Sequence, residues 1–409
     1  MKVQERFLHY VSMWTTSDDN STTTPSSKRQ LDLANMLRQE LYTLGLEGVH
    51  VDQYGYVYGT LPATKGYENS PALGFLAHMD TSPECSGKDV KPQIIKNYDG
   101  SDIMLGETER NLLIPEFPHL ASWVGRTVIT TDGTTLLGAD DKAGIAEIMT
   151  AIEIILENDI PHGKICVGFT VDEEIGSGAE LFDLDRFGAD YAYTVDGGLE
   201  GEIEYENFNA ASAVVTIHGV NIHPGSAKDL MVNSMELAHE FHQLIPGLEK
   251  PQHTEGYEGF FHLTEMQGCV ETSRMSYIIR DFDMNNFQRK KEYLQTTCTK
   301  LNEKYGNRKR FEVKIEDSYY NMKEKIEPCM WIIDSAIDAC KKADVEPKVI
   351  PIRGGTDGAR LSFRGLPCPN IGTGGAAFHG VCEHISVEGM EKTVGIIINL
   401  VENFRDHEK

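Results

Sequence analysis

The stretch Leu73-Gly74-Phe75-Leu76-Ala77-His78-Met79-Asp80 decides how this chain is read. A short apolar run ends directly in His-x-Asp, which delivers an imidazole to the rim of a sheet, where α/β proteins build their sites. Asp80, two residues on, is placed to orient or polarise whatever His78 binds.

Working outward, residues 27–44 carry Leu33, Leu37, Leu41 and Leu44 on one helical face, with Pro25-Ser26-Ser27 as the start signal and Gly45 as the stop. Apolar strands are expected at 165–171 and 191–195, with a helix at 143–158 before them. Strands interleaved with helices in this way predict an α/β domain with a mostly parallel, twisted sheet flanked by helices. The rhythm changes near Asn207. A strand at 211–218, a helix at 229–245 (Met231, Met235, Ala238, Phe241 and Ile245 inward) and strands at 259–269 and 273–282 follow. A helix with Phe287, Leu294, Cys298 and Leu301 on one stripe and a strand at 311–315 complete the order βαββαβ, the ferredoxin-like pattern. The α/β alternation then resumes. The reading is a small domain at 208–318 inserted into a discontinuous catalytic domain at 1–207 and 319–409.

Composition narrows the class. At 409 residues the chain exceeds what one hydrophobic core usually supports, which agrees with two domains. The 63 acidic and 38 basic side chains leave a formal net charge of −25. That balance repels a phosphate backbone, so no nucleic-acid partner is expected, and the short cluster Arg308-Lys309-Arg310 reads as solvated surface. No run of some 18 apolar residues occurs, so no membrane is expected either, and the N-terminus carries no signal-peptide pattern. The 8 cysteines include no Cys-x-x-Cys pair and are expected as reduced, mostly buried thiols in a cytoplasmic protein.

Four further segments set acids or histidine beside glycine. Gly138-Ala139-Asp140-Asp141-Lys142-Ala143-Gly144 opens a helix; capping explains one acid there but not two. The strand before Asp172-Glu173-Glu174 ends in three carboxylates, which repel one another unless a cation or shared protons intervene. The strand at 191–195 ends in Asp196-Gly197-Gly198, and Gly374-Gly375-Ala376-Ala377-Phe378-His379-Gly380 supplies a second imidazole. Asp140, Glu174 and Asp196 with His78 and His379 could hold two divalent cations, one carboxylate bridging. Four positive charges would then be balanced by three carboxylates and one hydroxide. Oxygen and imidazole donors without thiolate suit two Zn²⁺, with Co²⁺ or Mn²⁺ as substitutes. Glu173, beside a ligand but free of the metal, is the natural general base. The glycine runs 354–355 and 372–375 are no phosphate loop, since no Gly-Lys-Ser/Thr follows. The other histidines read as surface or core residues, with His384 the one to watch because it follows His379 closely.

Taken together these motifs resemble the two-zinc metallopeptidase family that holds tripeptide aminopeptidases, carboxypeptidase-like enzymes, aminoacylases and desuccinylases. The likeness to its tripeptide aminopeptidases runs nearly end to end, through TTPSS at 23–27, AHMDTSPE at 77–84, SGKDVKP at 86–92 and TDGTTLLGADDKAGIAEI at 131–148. It continues through FTVDEEIG at 169–176, YTVDGG at 193–198, GEIEYENFNAA at 201–211 and HPGSAKD at 223–229. The resemblance implies that His78, Asp140 and Asp196 hold one zinc and that Asp140, Glu174 and His379 hold the other. It implies a cis peptide bond between Asp140 and Asp141, Asp80 as an orienter behind His78, and Glu173 taking the proton from the bridging water. It further implies that the small domain delivers His223 to the substrate or oxyanion, and that Arg280 and Arg353 hold a peptide carboxylate.

On this reading the substrates are small peptides, chiefly tripeptides cut at the N-terminal bond, and a homodimer is left open. The rival within the family is a dipeptidase, a carboxypeptidase or an N-acyl amino-acid deacylase, separated by which substrate end is anchored. A two-metal phosphoesterase lacks its basic channel here, and a non-catalytic binding module would have lost Glu173 or a ligand.

Overall fold

The computed structural model describes residues 1–407, which divide into two compact units. The first comprises Met1–Tyr205, Met322–Ile350 and Thr356–Lys409; the second comprises Glu206–Asn321 and Pro351–Gly355.

The first unit is built on an eight-stranded sheet. From one edge it runs Glu47–Val51, Val57–Leu61, Ile165–Thr170, Leu73–His78, Tyr191–Val195, Asn370–Ile371, Glu202–Glu204 and Lys348–Val349. The four strands from Ile165–Thr170 to Asn370–Ile371 pair in parallel, as the alternating pattern predicts. Leu73–His78 and Ile165–Thr170 are buried at every position, because helices and loops cover both faces. Helix Ala139–Glu157 packs on the strands at 73–78 and 191–195, and helix Gln30–Leu44 covers the edge pair. The latter ends as predicted on Gly45, whose φ of 90° is left-handed.

A second, four-stranded sheet in this unit orders Gly375–Ala376, His384–Ser386, Val128–Thr130 and Gln93–Ile95. Its strands have only two or three residues, too few for an alternating pattern to register in the sequence.

The second unit is the expected ferredoxin-like βαββαβ. Its strands Asn209–His218, Phe260–Gly268, Thr272–Asp281 and Phe311–Tyr319 form one antiparallel sheet in the spatial order second, third, first, fourth. Helices Ser234–Gln243 and Met284–Lys304 bury Leu237, Ala238, Phe241, Phe287, Leu294, Cys298 and Leu301 with Val215, Ile217, Tyr277 and Ile279 of the sheet. The first helix is shorter than the 229–245 expected. Asn233 caps it by accepting from the Met235 N–H at 2.9 Å, which leaves Met235 exposed and turns Leu237 inward instead.

No helix among the described residues is long and apolar enough to cross a membrane. All eight cysteines are free thiols, five of them buried, whereas Cys269 is exposed.

Candidate metal centre

Parallel pairing brings the chemistry to one edge. His78 lies opposite Thr170, and Leu76 opposite Thr194, so the strands carrying His78, the 172–174 acids and Asp196 end side by side. The helix opening at Gly138 meets that edge closely. A Cβ on Gly144 would overlap the Val195 carbonyl oxygen, so only glycine lets the helix start approach the strand that ends in Asp196. Asp140 (φ −85°, ψ 104°) and Asp141 (φ −124°, ψ 33°) precede the regular helix, and the peptide bond between them is cis.

The five candidate ligands converge. His78 Nε2 is 2.8 Å from Asp140 Oδ1 and 3.5 Å from Asp196 Oδ1. His379 Nε2 is 3.3 Å from Asp140 Oδ2 and 2.9 Å from Glu174 Oε2. Asp140 thus turns one carboxylate oxygen to each imidazole, the arrangement a bridging ligand needs. The neighbouring Asp141 has both oxygens in use on the frame, accepting from the His78 N–H at 3.1 Å and the Gly144 N–H at 3.2 Å. It still falls within 4.8 Å of His78 and Asp196, as do Asp140 and Glu174 of His78.

Asp80 is fully buried and braces two elements. Its Oδ1 and Oδ2 accept the backbone N–H groups of Glu173 at 3.1 Å and Glu174 at 3.2 Å, and His78 Nδ1 lies 3.4 Å from Oδ1 and 3.0 Å from the Asp80 carbonyl oxygen. One carboxylate therefore ties the first imidazole to the two glutamates. Asp172 (φ 58°) and His379 (φ 62°) hold left-handed backbone that non-glycine residues rarely adopt, which persists where surrounding bonds over-determine it. For Asp172 those bonds come from Ser26 and Gln30, at 2.5 to 2.7 Å.

Electrostatics favour a cation. Burial pushes the Glu174 carboxyl up to about 7, with the Asp140 charge adding to the shift. Burial likewise raises Glu173 well above the usual range, against the pull of His78, with Asp357, Asp196 and Glu174 adding. Hydrogen bonds to Asp140 and Glu174 lift His379 to about 11. Without a cation these carboxylates are relieved only by protons. Glu174 Oε1 is buried with no hydrogen-bond partner, an acceptor left for something other than the protein. Oxygen and imidazole donors, no thiolate and an orphaned buried acceptor fit a hard to borderline divalent ion such as zinc.

Two residues of this region escaped the sequence reading. Asp357 is buried, and one of its oxygens has no partner. Glu383 is 1% exposed, and its carboxylate accepts the backbone N–H groups of Leu137, Gly138 and Asp140 at 2.6, 2.8 and 3.0 Å. Neither ends a strand or repeats a motif, so only neighbours distant in sequence reveal them. His384 is no ligand candidate: its ring stacks on His119 (centroids 5.0 Å apart), with Nε2 2.7 Å from His119 Nε2 and Nδ1 2.6 Å from the Cys382 carbonyl oxygen.

His223, Arg280 and Arg353 belong to the second unit. His223 is exposed, and its Nδ1 accepts the Gly225 N–H at 3.1 Å, which sets the ring. Arg280 donates to the carbonyl oxygens of Ile279 at 2.9 Å and Ala211 at 3.4 Å and lies over the Tyr319 ring. Arg353 donates to the carbonyl oxygens of Gly256 at 2.6 Å and Glu258 at 3.1 Å and to Thr254 Oγ1 at 3.1 Å.

A parallel sheet with such a constellation at its carboxyl edge defines a class of metal-dependent hydrolases, and comparison with known proteins agrees. The model of peptidase family M20/M25/M40 matches residues 130–403, and the chain belongs to that family. It is a peptidase, a hydrolase with a metal cofactor. It is similar to Peptidase T of Clostridium acetobutylicum (55% identical over 99% of each chain) and to Peptidase T of Caldanaerobacter subterraneus subsp. tengcongensis (55% over 98% of each). Among solved structures, the aminopeptidase PepT of Bacillus cereus superposes with a TM-score of 0.77 at 24% identity, covering 98% of both chains. A tripeptidase from Staphylococcus aureus gives 0.76 at 20%, covering 99% of this chain and 98% of the other. A dinuclear metal-binding M20 peptidase from Bacillus subtilis gives 0.65 at 13%, covering 98% and 97%. At these identities the structural likenesses speak for the fold.

Proposed function

We propose that the chain is a tripeptide aminopeptidase that works in the cytoplasm with two zinc ions. His78, Asp140 and Asp196 would hold one, and Asp140, Glu174 and His379 the other. The observation that carries this reading is the position of Asp140, one carboxylate oxygen within 2.8 Å of His78 Nε2 and the other within 3.3 Å of His379 Nε2. The relatives named Peptidase T, alike over nearly the whole chain, support the substrate class.

When bound, such a metal pair polarises the scissile carbonyl and makes water acidic enough to attack at neutral pH. Glu173 takes the proton of the attacking water and passes it to the leaving amine. Burial suits it to that task, because a carboxylate raised by desolvation is a stronger proton acceptor than one in water. Asp80 keeps His78 and Glu173 in register through the bonds described above. His223 serves the substrate or oxyanion, and Arg280 and Arg353 bind the peptide carboxylate. A carboxylate is a stronger acceptor for guanidinium than the backbone carbonyls these groups now hold.

Mass spectrometry of products tests the proposal, using a free tripeptide, its N-acetylated form and a dipeptide, each with and without chelator. Release of the N-terminal residue from the free tripeptide alone, abolished by chelator, is expected. Cleavage of the acetylated form, or release of the C-terminal residue, would transfer the chain to the deacylase or carboxypeptidase reading.

A further inference from the structure

We infer that Glu383 is a positioning residue that sets the distance between His379 and Asp140, and through it the strength of the metal position those two share. The inference rests on the proposed ligand assignment.

Glu383 stands four residues after His379, at the close of a turn in which its own N–H bonds to the Gly380 carbonyl oxygen at 3.2 Å. Its side chain reaches a segment far away in sequence, the turn that carries Asp140. Oε2 accepts from Leu137 and Gly138, and Oε1 from Asp140 itself. Three N–H groups of one turn, those of Leu137, Gly138 and Asp140, thus converge on one side chain of a residue that is 1% exposed. Gly138 takes a left-handed φ of 83°, the conformation that lets the N–H groups on either side face the same carboxylate. Each of these bonds is shielded from water, and losing the acceptor would leave three N–H groups of the turn without their partner.

Geometry makes the link specific. The loop bearing His379 is fixed on its far side by pairing of His384–Ser386 with Val128–Thr130 and by the bond from Thr131 Oγ1 to the Val381 carbonyl oxygen at 2.8 Å. Those contacts anchor the loop to the small sheet. Glu383 ties it to the backbone N–H of the bridging residue. His379 is the most exposed of the five candidate ligands, its side chain 40% accessible against 2% for His78, so its placement depends most on such a tie. His78 is held independently, by Asp80 and Asp141.

The test is Co²⁺ binding to the metal-stripped full chain, followed by competition with a chromophoric chelator and by the visible cobalt spectrum. Wild type and His379→Ala come first. Two equivalents in wild type and one in His379→Ala sustain the ligand assignment, whereas any other stoichiometry defeats that assignment rather than the role of Glu383. Glu383→Gln keeps the shape but places an amide donor against an N–H. Glu383→Asp keeps the charge but falls a methylene short, and serves should the first variant not fold. Each should weaken the second equivalent by about 10- to 100-fold, the usual effect of losing a partner behind a ligand, with an altered cobalt spectrum. The first equivalent shares Asp140 but keeps His78 and Asp196, which Glu383 does not touch, and should weaken less than the second. Wild-type affinity for both equivalents would overturn the inference, even if the metal-free melting temperature falls. So would equal weakening of both, or full rescue by Glu383→Asp, which would make Glu383 a source of charge and not of position.

Discussion

In the inserted sheet the strand Asn209–His218 alternates buried with half-buried positions along most of its length, whereas Leu73–His78 and Ile165–Thr170 are buried at every position. The first kind of strand keeps one face open, so a polar side chain on that face costs nothing. The second kind has no open face, and its only polar outlet is its end. There the parallel sheet gathers His78, Glu173, Glu174 and Asp196, groups that are costly to desolvate unless something of opposite charge answers them. The contrast teaches where to look for chemistry in this fold: in the sheet that cannot hide a charge along its length, charge at the rim is there for a reason.

The largest effect is expected when the opposite charge is taken away. Prolonged chelation should reduce peptide hydrolysis to background, and added Zn²⁺ or Co²⁺ should restore it; full activity in a preparation shown by elemental analysis to be metal-free would end the reading. Glu174→Ala should lower metal content together with rate.

Next in size is the neighbouring acid. Glu173→Ala should keep both metals and lose about 10²- to 10⁴-fold in turnover, as removal of a positioned acid/base does, with less change in substrate binding. Single-turnover kinetics beside a zinc titration separates the two glutamates. A Glu173→Ala protein stripped of metal, or one of normal turnover, would erase the distinction between them.

A buried ionisable group with no proposed cation gives the control. Burial pushes the His384 imidazole down to about 4. Its folded pKa lies below the unfolded value of 6.5, so the unfolded chain binds the extra proton between those limits. The contribution is whole above about pH 6.5 and is lost as the pH falls towards 4, on the order of 3 kcal/mol at most. Denaturation midpoints across that window should therefore slope less in His384→Gln than in the parent. Equal slopes would show that the imidazole titrates normally.

The smallest effects are expected within the two sheets. Val215→Ala, on the packed face of the inserted sheet, should cost about 1–2 kcal/mol, and Val214→Ala on the other face less than about 1 kcal/mol. In Ile165–Thr170 no such alternation should appear: Val167→Ala and Phe169→Ala both destabilise, and so does Gly168→Ala, whose added Cβ would come within 2.8 Å of Phe182. Chemical denaturation of the paired variants measures this. An alternating cost in the central strand would mean that one of its faces is open after all.

From its residues alone the chain determined its alternation of strands and helices, the βαββαβ insertion and the acids and imidazoles at strand ends. Each of these is local: a period of two or of 3.6, or a charge adjoining an apolar run, can be read without knowing what lies opposite. The resemblance of its motifs to a family supplied the ligand sets and the cis bond. Other features existed only once the chain had folded. The short strands of the second small sheet are made by their partners and not by any pattern of their own. The start of the helix 234–243 follows from the Asn233 cap and not from the apolar spacing. Glu383, Asp357 and the stacked His119–His384 pair acquire meaning from neighbours more than 150 residues away, because a buried polar group is defined by what surrounds it, and the chain sets that in three dimensions.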